Sequence, residues 1–232
     1  MRFLVLSDMH GDIAYIEKLG EEFARSDAVL FAGDFARFQD VQTGLPALKL
    51  LTDKHDSVFA VTGNCDEPAF LEELEKADIS VQGGLVFRDG LVFAGSGGAL
   101  KFTGTTPNER SDEELVSDLR IVREQEPHAE GGVRWPNLIA LVHQPPKDTK
   151  CDRITAGVHV GSPLIRAFIE EVQPLAVVTG HIHESFGIDS IGDTVVMNPG
   201  SLAEGRYGVL EAERTPSGWK IARAELCEIP SD

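Results

Sequence analysis

Thr179-Gly180-His181-Ile182-His183 follows directly on the apolar run 175–178. Two histidines one residue apart at such a place are hard to account for as packing. If residues 175–179 form a buried strand, both histidines sit on the loop at its C-terminal end, where open α/β sheets place their ligands. The same arrangement recurs upstream. Residues 3–7 are a short continuous apolar run, the pattern of a buried parallel strand, and lead into Ser7-Asp8-Met9-His10-Gly11-Asp12. Run 28–32 ends in Gly33-Asp34, run 57–61 in Thr62-Gly63-Asn64-Cys65-Asp66, and run 138–142 at His143. Each strand therefore delivers a polar group to one edge of a sheet.

Between these runs the sequence predicts helices. Asp12 is placed to N-cap a helix to about residue 25, with Ile13, Ile16, Leu19 and Phe23 on one face. Residues 43–55 form a second helix, and Pro68 sits near the first turn of a third, ending near residue 77. Ser111-Asp112-Glu113-Glu114 is a capping box opening a helix to about residue 125. Ser162-Pro163 gives an N-cap and first helical residue for a helix to about 172. Runs 85–87 and 91–94 make a hairpin around Arg88-Asp89-Gly90. Runs 186–190, 194–197, 207–212 and 219–224 are expected as antiparallel strands. Residues 126–135, with Gly131-Gly132, read as an exposed connection. The whole is expected as one domain, 1–232, with 99–135 a helical and loop insertion near the site.

Composition narrows the class. At 232 residues the chain can bury a full core, and its 42% hydrophobic and 25% charged residues are those of a soluble globular protein. No apolar run reaches the roughly 18 residues a membrane span needs, and residues 3–6 are too short for a signal-peptide core. A cytoplasmic protein is the default expectation. Three widely spaced cysteines form no CxxC pair, which argues against a disulfide framework or a thiolate zinc site. A net charge of −17 argues against a broad nucleic-acid or anionic-membrane surface. A small phosphorylated ligand remains compatible if metal supplies the positive charge.

The groups ending the strands are Asp8, His10, Asp34, Asn64, His143, His181 and His183. Each singly has a dull explanation: a turn aspartate, an exposed loop histidine. Together they are four imidazoles, two carboxylates and an amide oxygen, a thiolate-free set that suits manganese, iron, zinc, nickel or cobalt. Seven groups exceed one tetrahedral ion but suffice for two metals. Adjacent dications repel, so a shared anionic ligand is required, and Asp34 is the natural candidate.

In this order, Asp8-x-His10, Gly33-Asp34, Gly63-Asn64, His143 and Gly180-His181-x-His183 resemble the calcineurin-like metallophosphoesterases. The resemblance runs from Asp8 through Asn198-Pro199-Gly200-Ser201, and is strongest to the compact prokaryotic, especially archaeal, phosphodiesterases. It implies an α/β fold, a four-layer αββα sandwich of two mixed sheets flanked by helices. It assigns one metal to Asp8, His10, Asp34 and His183, and the other to Asp34, Asn64, His143 and His181, with manganese the expected ion. It implies hydrolysis of a small phosphodiester by a metal-activated water without a covalent intermediate, with Asp34, Asn64 and His143 central to catalysis. Phosphomonoesterase activity and a non-catalytic metal-binding scaffold are the alternatives. The implied partner is a small phosphorylated substrate; a homodimer is an expectation carried from the resemblance alone.

One position departs from the pattern. Many members place a histidine, resembling a general acid for the leaving alkoxide, directly after the motif asparagine; here Cys65 stands there. A thiol is a poor substitute, so Cys65 is expected to pack, and good leaving groups are expected to be preferred. Among the remaining groups, Asp66 is expected to cap the next helix rather than orient ligands. Asn198 and Ser201 are expected behind the ligands. Arg206 is open between a substrate phosphate and a structural ion pair. His55, His128 and His159 are expected at the surface, and Arg110, Arg120 and Arg123 as solvated charges.

Overall fold

The computed structural model describes residues 1–125 and 135–230. In chain order its strands are β1 (Arg2–Leu6), β2 (Ala28–Phe31), β3 (Val58–Ala60), β4 (Val86–Arg88), β5 (Leu91–Ser96), β6 (Ala99–Leu100), β7 (Glu109–Arg110), β8 (Leu138–Val142), β9 (Ala176–Thr179), β10 (Gly187–Ile191), β11 (Thr194–Asn198), β12 (Arg206–Thr215) and β13 (Gly218–Glu228). Its helices are α1 (Ala14–Lys18), α2 (Gly20–Arg25), α3 (Gly44–Lys54), α4 (Leu71–Lys76), α5 (Asp112–Ser117), α6 (Arg120–Glu124) and α7 (Pro163–Val172).

Two mixed sheets form the centre. One has the order β13-β12-β1-β2-β3, the other β10-β11-β9-β8-β5-β4. β1, β2 and β3 run parallel, as do β5, β8, β9 and β11. The alternation of side chains along each strand explains the layering. Phe3 and Val5 of β1 meet Phe93, Ile139, Leu141 and Val178 of the second sheet, and the Phe59 and Phe93 rings stack at 3.9 Å. Leu4 and Leu6 point the other way, onto Ile16, Phe23, Leu51 and Leu74 of α1 to α4. On the far side, Ala140 and Val142 lie under Leu115, Val122, Ile165 and Phe168 of α5 to α7. The result is the αββα sandwich that the resemblance implied.

Several local expectations need correction. The helix expected from Asp12 to residue 25 is two helices, broken at Leu19, where the backbone turns to φ −90°, ψ 13° just before Gly20, a weak helix former. Ile13 falls outside the buried face and is 44% exposed. The helix opened by Ser111 is likewise divided, at Asp118-Leu119, although its capping box is present on both arms. The C-terminal strands are not one antiparallel set: β11 pairs parallel with β9, and the long hairpin β12–β13 crosses to the other sheet beside β1. The expected connection at 126–135, with His128, lies outside the described residues except at Trp135. Among the described residues no helix is long and apolar enough to cross a membrane.

Candidate metal centre

The parallel strands of both sheets end at one edge of the sandwich. Asp8 and His10 follow β1, Asp34 follows β2, Asn64 follows β3, His143 follows β8, and His181 and His183 follow β9. There the donors converge. His183 Nε2 is 3.2 Å from Asp8 Oδ1 and 3.1 Å from His10 Nε2. His10 Nε2 lies 3.7 Å from both Asp8 Oδ1 and Asp34 Oδ2. On the other side of Asp34, His143 Nε2 is 3.6 Å from Asp34 Oδ2 and 2.9 Å from Asn64 Oδ1. The four rings form two pairs, His10 with His183 at 5.0 Å and His143 with His181 at 5.3 Å between centroids.

These separations fit divalent ions. A first-row ion bound at about 2.1 Å to two donors at right angles holds them about 3 Å apart. Asp8, His10 and His183 form one triad of donor atoms within 4.8 Å of one another, and Asp8, Asp34 and His143 another. The imidazoles are also oriented as ligands usually are, with the remote nitrogen tied back. His143 Nδ1 is 2.7 Å from the Ala32 carbonyl oxygen, and His10 Nδ1 is 3.3 Å from that of Ala36. A carbonyl only accepts, so the Nδ1–H of His143 donates to Ala32 O and leaves Nε2 turned toward the Asn64 oxygen at 2.9 Å, where a bound ion could take both atoms as ligands. His181 stands outside the triads. Its backbone N–H donates to Asp8 at 3.1 Å, while its ring sits beside His143.

The loops pay for this convergence in backbone strain. Asp8, His10, Asp34 and His181 all have positive φ, at 54°, 48°, 61° and 67°, a region that disfavours side chains by roughly 1–3 kcal/mol per residue. Lateral hydrogen bonds hold them there. Asp8 N–H donates to Gly33 O at 2.9 Å, and His10 N–H to Asp34 O at 3.0 Å. The motif glycines have a steric reason: a Cβ at Gly63 would overlap the Asp34 carboxylate, and one at Gly180 would overlap Ser7 and Asp8.

Asp66 corrects an expectation. It caps nothing; the turn after it has Glu67 at its N-cap position and no side-chain cap. Instead its buried carboxylate accepts four backbone N–H groups: Asp34 at 3.1 Å, Phe35 at 3.3 Å, Gly63 at 2.7 Å and Ala36 at 2.8 Å. It thus ties the Asp34 loop to the Asn64 loop. Asn198 Nδ2 donates to the carbonyls of Ile182 at 3.0 Å and Cys151 at 3.3 Å, and Ser201 Oγ donates to Asp8 O at 2.8 Å. Arg206 resolves as structural: it pairs with Glu204 at 2.8 Å and donates to His183 O at 3.1 Å. Sequence reasoning missed Asn108, which donates through Nδ2 to Gly63 O at 3.0 Å and through its N–H to Asn64 O at 3.1 Å. No local spacing marks it, because the contact is tertiary. Arg110 is no solvated charge, being paired with Asp118 at 2.6 Å. His159 lies 2.7 Å from the buried Asp152, and His55 is half-buried, 3.0 Å from Ser26 O.

The electrostatics differ across Asp34. Burial alone would raise the Asp8 pKa, but the imidazoles of His10 and His183 hold it well below the usual range. Burial would lower His10, yet Asp8 and Asp34 push it up to about 9. His183 is raised in the same way by Asp8. In contrast, burial and the neighbouring His143 lower His181 to about 4. Burial and the charge of Asp34 lift Asp66 to about 6. Cys65 is 4% exposed, its N–H donates to Asp34 Oδ1 at 2.7 Å, and burial followed by the Asp34 charge pushes its thiol far up. It packs, as expected, and cannot serve as a proton donor near neutral pH.

Comparison with known proteins agrees with this fold. An uncharacterized protein of Methanocaldococcus jannaschii is 30% identical over 206 residues, covering 86% of this chain and 88% of the relative. A crystal structure of TT1561 from Thermus thermophilus superposes with a TM-score of 0.71 at 19% identity, over 98% of both chains. Haemophilus influenzae NAD nucleotidase superposes at 0.59 and 12% identity, over all of this chain and 54% of that one. These two structures share the fold. The family profile described as calcineurin-like phosphoesterase matches residues 1–185. With most of its length matched, the chain belongs to the calcineurin-like phosphoesterases, whose chemistry is metal-dependent hydrolysis of phosphoesters.

Proposed function

We propose that this chain is a dinuclear phosphodiesterase acting on a small phosphate diester. The observation that carries the reading is the double donor set meeting at Asp34. Asp8, His10 and His183 would hold one ion, Asn64, His143 and His181 the other, and Asp34 would bridge them. Manganese is the favoured ion, with nickel, zinc, iron or cobalt also suited to these donors. When bound, such ions lower the pKa of water and neutralise charge on phosphoryl oxygens.

The chain's own residues set the rest. Asp34 Oδ1 accepts the Cys65 N–H while its Oδ2 faces His10 and His143, so the carboxylate is held between the two donor groups. His143 keeps its Nδ1 proton on Ala32 O and turns Nε2 inward. A diester is favoured over a monoester on charge. The monoester carries nearly two negative charges near neutral pH and the diester one. Among the described residues, Lys101 is the one lysine or arginine lining the cavity beside Asn64 and His181, in a chain of net charge −17. The absence of a proton donor at Cys65 favours substrates whose alkoxide leaves unaided, such as aryl esters or strained cyclic phosphates.

The test is turnover of bis(p-nitrophenyl) phosphate and p-nitrophenyl phosphate by protein loaded with manganese, nickel or zinc. Faster hydrolysis of the diester is expected. Faster hydrolysis of the monoester would replace the reading with a phosphomonoesterase. Hydrolysis of neither would leave a metal-binding scaffold.

A further inference from the structure

A cavity of about 410 Å³ opens beside the donors, with Asn64 and His181 in its wall. Its size is that of a small-ligand site. Away from those two residues the wall turns apolar, through Leu100, Phe102, Ile154, Val160 and Ile182. Apart from Lys101, whose side chain is 66% exposed, the polar side chains there are already engaged. Gln144 accepts from Leu100 N–H at 2.9 Å and donates to Val160 O at 3.1 Å. Glu109 accepts the N–H groups of Phe102 at 2.8 Å, Gly104 at 3.0 Å and Thr105 at 3.2 Å, and these bonds pull its pKa down to about 2. A ligand arm rich in hydroxyls would find few free partners along this wall.

Phe102 stands out among the exposed apolar side chains of the described residues. It is 92% exposed, the most exposed of the large apolar side chains among the described residues. Its backbone is not loose. The Glu109 carboxylate gathers the loop, and the segment is anchored by the β6–β7 pairing and by Asn108 on Gly63 and Asn64. A clamped loop thus displays an aromatic ring to solvent at the edge of an apolar cavity continuous with the donor centre. Aromatic rings so presented gain most from another ring stacked on them.

We infer that this cavity is a specificity subsite for an aromatic or heteroaromatic ring on one ester arm of the substrate, with Phe102 as its stacking platform. The inference rests on the phosphoesterase reading above, since the phosphoryl group must sit on the metal centre for the arm to reach Phe102. It gives residues 99–109 a role: they carry the substrate-selecting wall.

The test is calorimetric binding of phenylphosphonate and methylphosphonate to the manganese-loaded protein, alongside p-nitrophenyl ester turnover. The phosphonate reports on the centre and the phenyl ring on the cavity. The wild type should bind phenylphosphonate roughly tenfold more tightly. Phe102→Ala should bring the two affinities together, and Phe102→Trp should restore the difference; the exposed position makes both variants compatible with folding. Equal affinities in the wild type, or a preference that survives Phe102→Ala, would overturn the subsite while leaving the hydrolytic reading in place. If neither phosphonate binds and neither ester is hydrolysed, both fall.

Discussion

The two donor groups of the candidate metal centre are built from different material. The half at Asp8, His10 and His183 is anionic and partly open: its imidazoles are 19% and 31% exposed at the side chain, and Asp8 raises both their pKa values. The half at Asn64, His143 and His181 has a neutral amide in place of that carboxylate. Its His143 is fully buried with one nitrogen fixed on a carbonyl, and its His181 is lowered to about 4. Before metal arrives, His10 of the first half holds its proton at neutral pH, while His181 of the second is already neutral. The difference teaches that equal ligand counts need not mean equal sites. On the proposed two-ion reading, one half would give up a proton as it binds, the other would bind into a pre-formed pocket, and Asp34 would couple them.

The most severe way to break the contrast is to remove its hinge. Asp34→Asn keeps the shape but loses the charge that would let two dications share a wall. Turnover should fall by about 10³-fold or more, well beyond the 10–100-fold typical of residues one step removed from the metal, and metal analysis should show fewer than two ions per chain. Retained activity with two ions bound would show that the halves do not depend on this carboxylate.

A metal titration at several pH values sharpens it next. His10 at about 9 is protonated at pH 7, so an ion entering its half must displace that proton, and the apparent affinity rises with pH until the proton is gone. One such proton gives about tenfold per pH unit, hence roughly a hundredfold between pH 7 and 9. His181 at about 4 is already neutral, so it adds no slope over that range. Calorimetry in buffers of different ionisation enthalpy should resolve one proton-releasing event and one that releases far less. Two events with identical pH slopes would remove the distinction between the halves.

Asp66 tests what they share. Its carboxylate holds the Asp34 N–H on one side and the Gly63 N–H on the other. Asp66→Asn turns an amide group toward donors that need an acceptor, at a cost of about 1–3 kcal/mol for each buried N–H left unpaired. Metal affinity should fall by about 10–100-fold in both events of the titration, with a lower melting temperature. Weakening of one event alone would show that Asp66 supports one half only.

Much of this was legible in the sequence. Short apolar runs ending in Asp8, Asp34, Asn64, His143 and His181 have a period and position that local chemistry dictates, and the structure gathers all of them at one edge. The crossing of β12–β13 into the first sheet was not legible, because a hairpin carries no record of which sheet edge it will join. Asp66 was misread for a related reason. An acidic residue before Glu67-Pro68 has a plausible local use as a cap, and only the tertiary approach of the Asp34 loop offers its oxygens four better donors. Asn108 gave no signal for the same reason: its partners, Gly63 and Asn64, are distant in sequence.

The smallest expected effect concerns a residue that belongs to neither half. Cys65 lies against Asp34 and His10, with donor atoms within 4.8 Å, yet its raised thiol pKa means that it holds its proton too tightly to give it up near neutral pH. A histidine there titrates near 6.5 before its surroundings act, and Asp34 would favour its protonated form. Cys65→His should therefore accelerate a methyl-ester diester, whose alkoxide needs a proton, by about tenfold, a modest share of the 10²–10⁴ that a well-placed general acid supplies. It should leave the p-nitrophenyl diester nearly unchanged, since that phenolate leaves unprotonated. Because the site is buried, a larger ring costs about 1–3 kcal/mol of overpacking, so the melting temperature must be read beside the rates. A folded variant with no gain on the methyl ester would show that the leaving group is not limited by the missing acid.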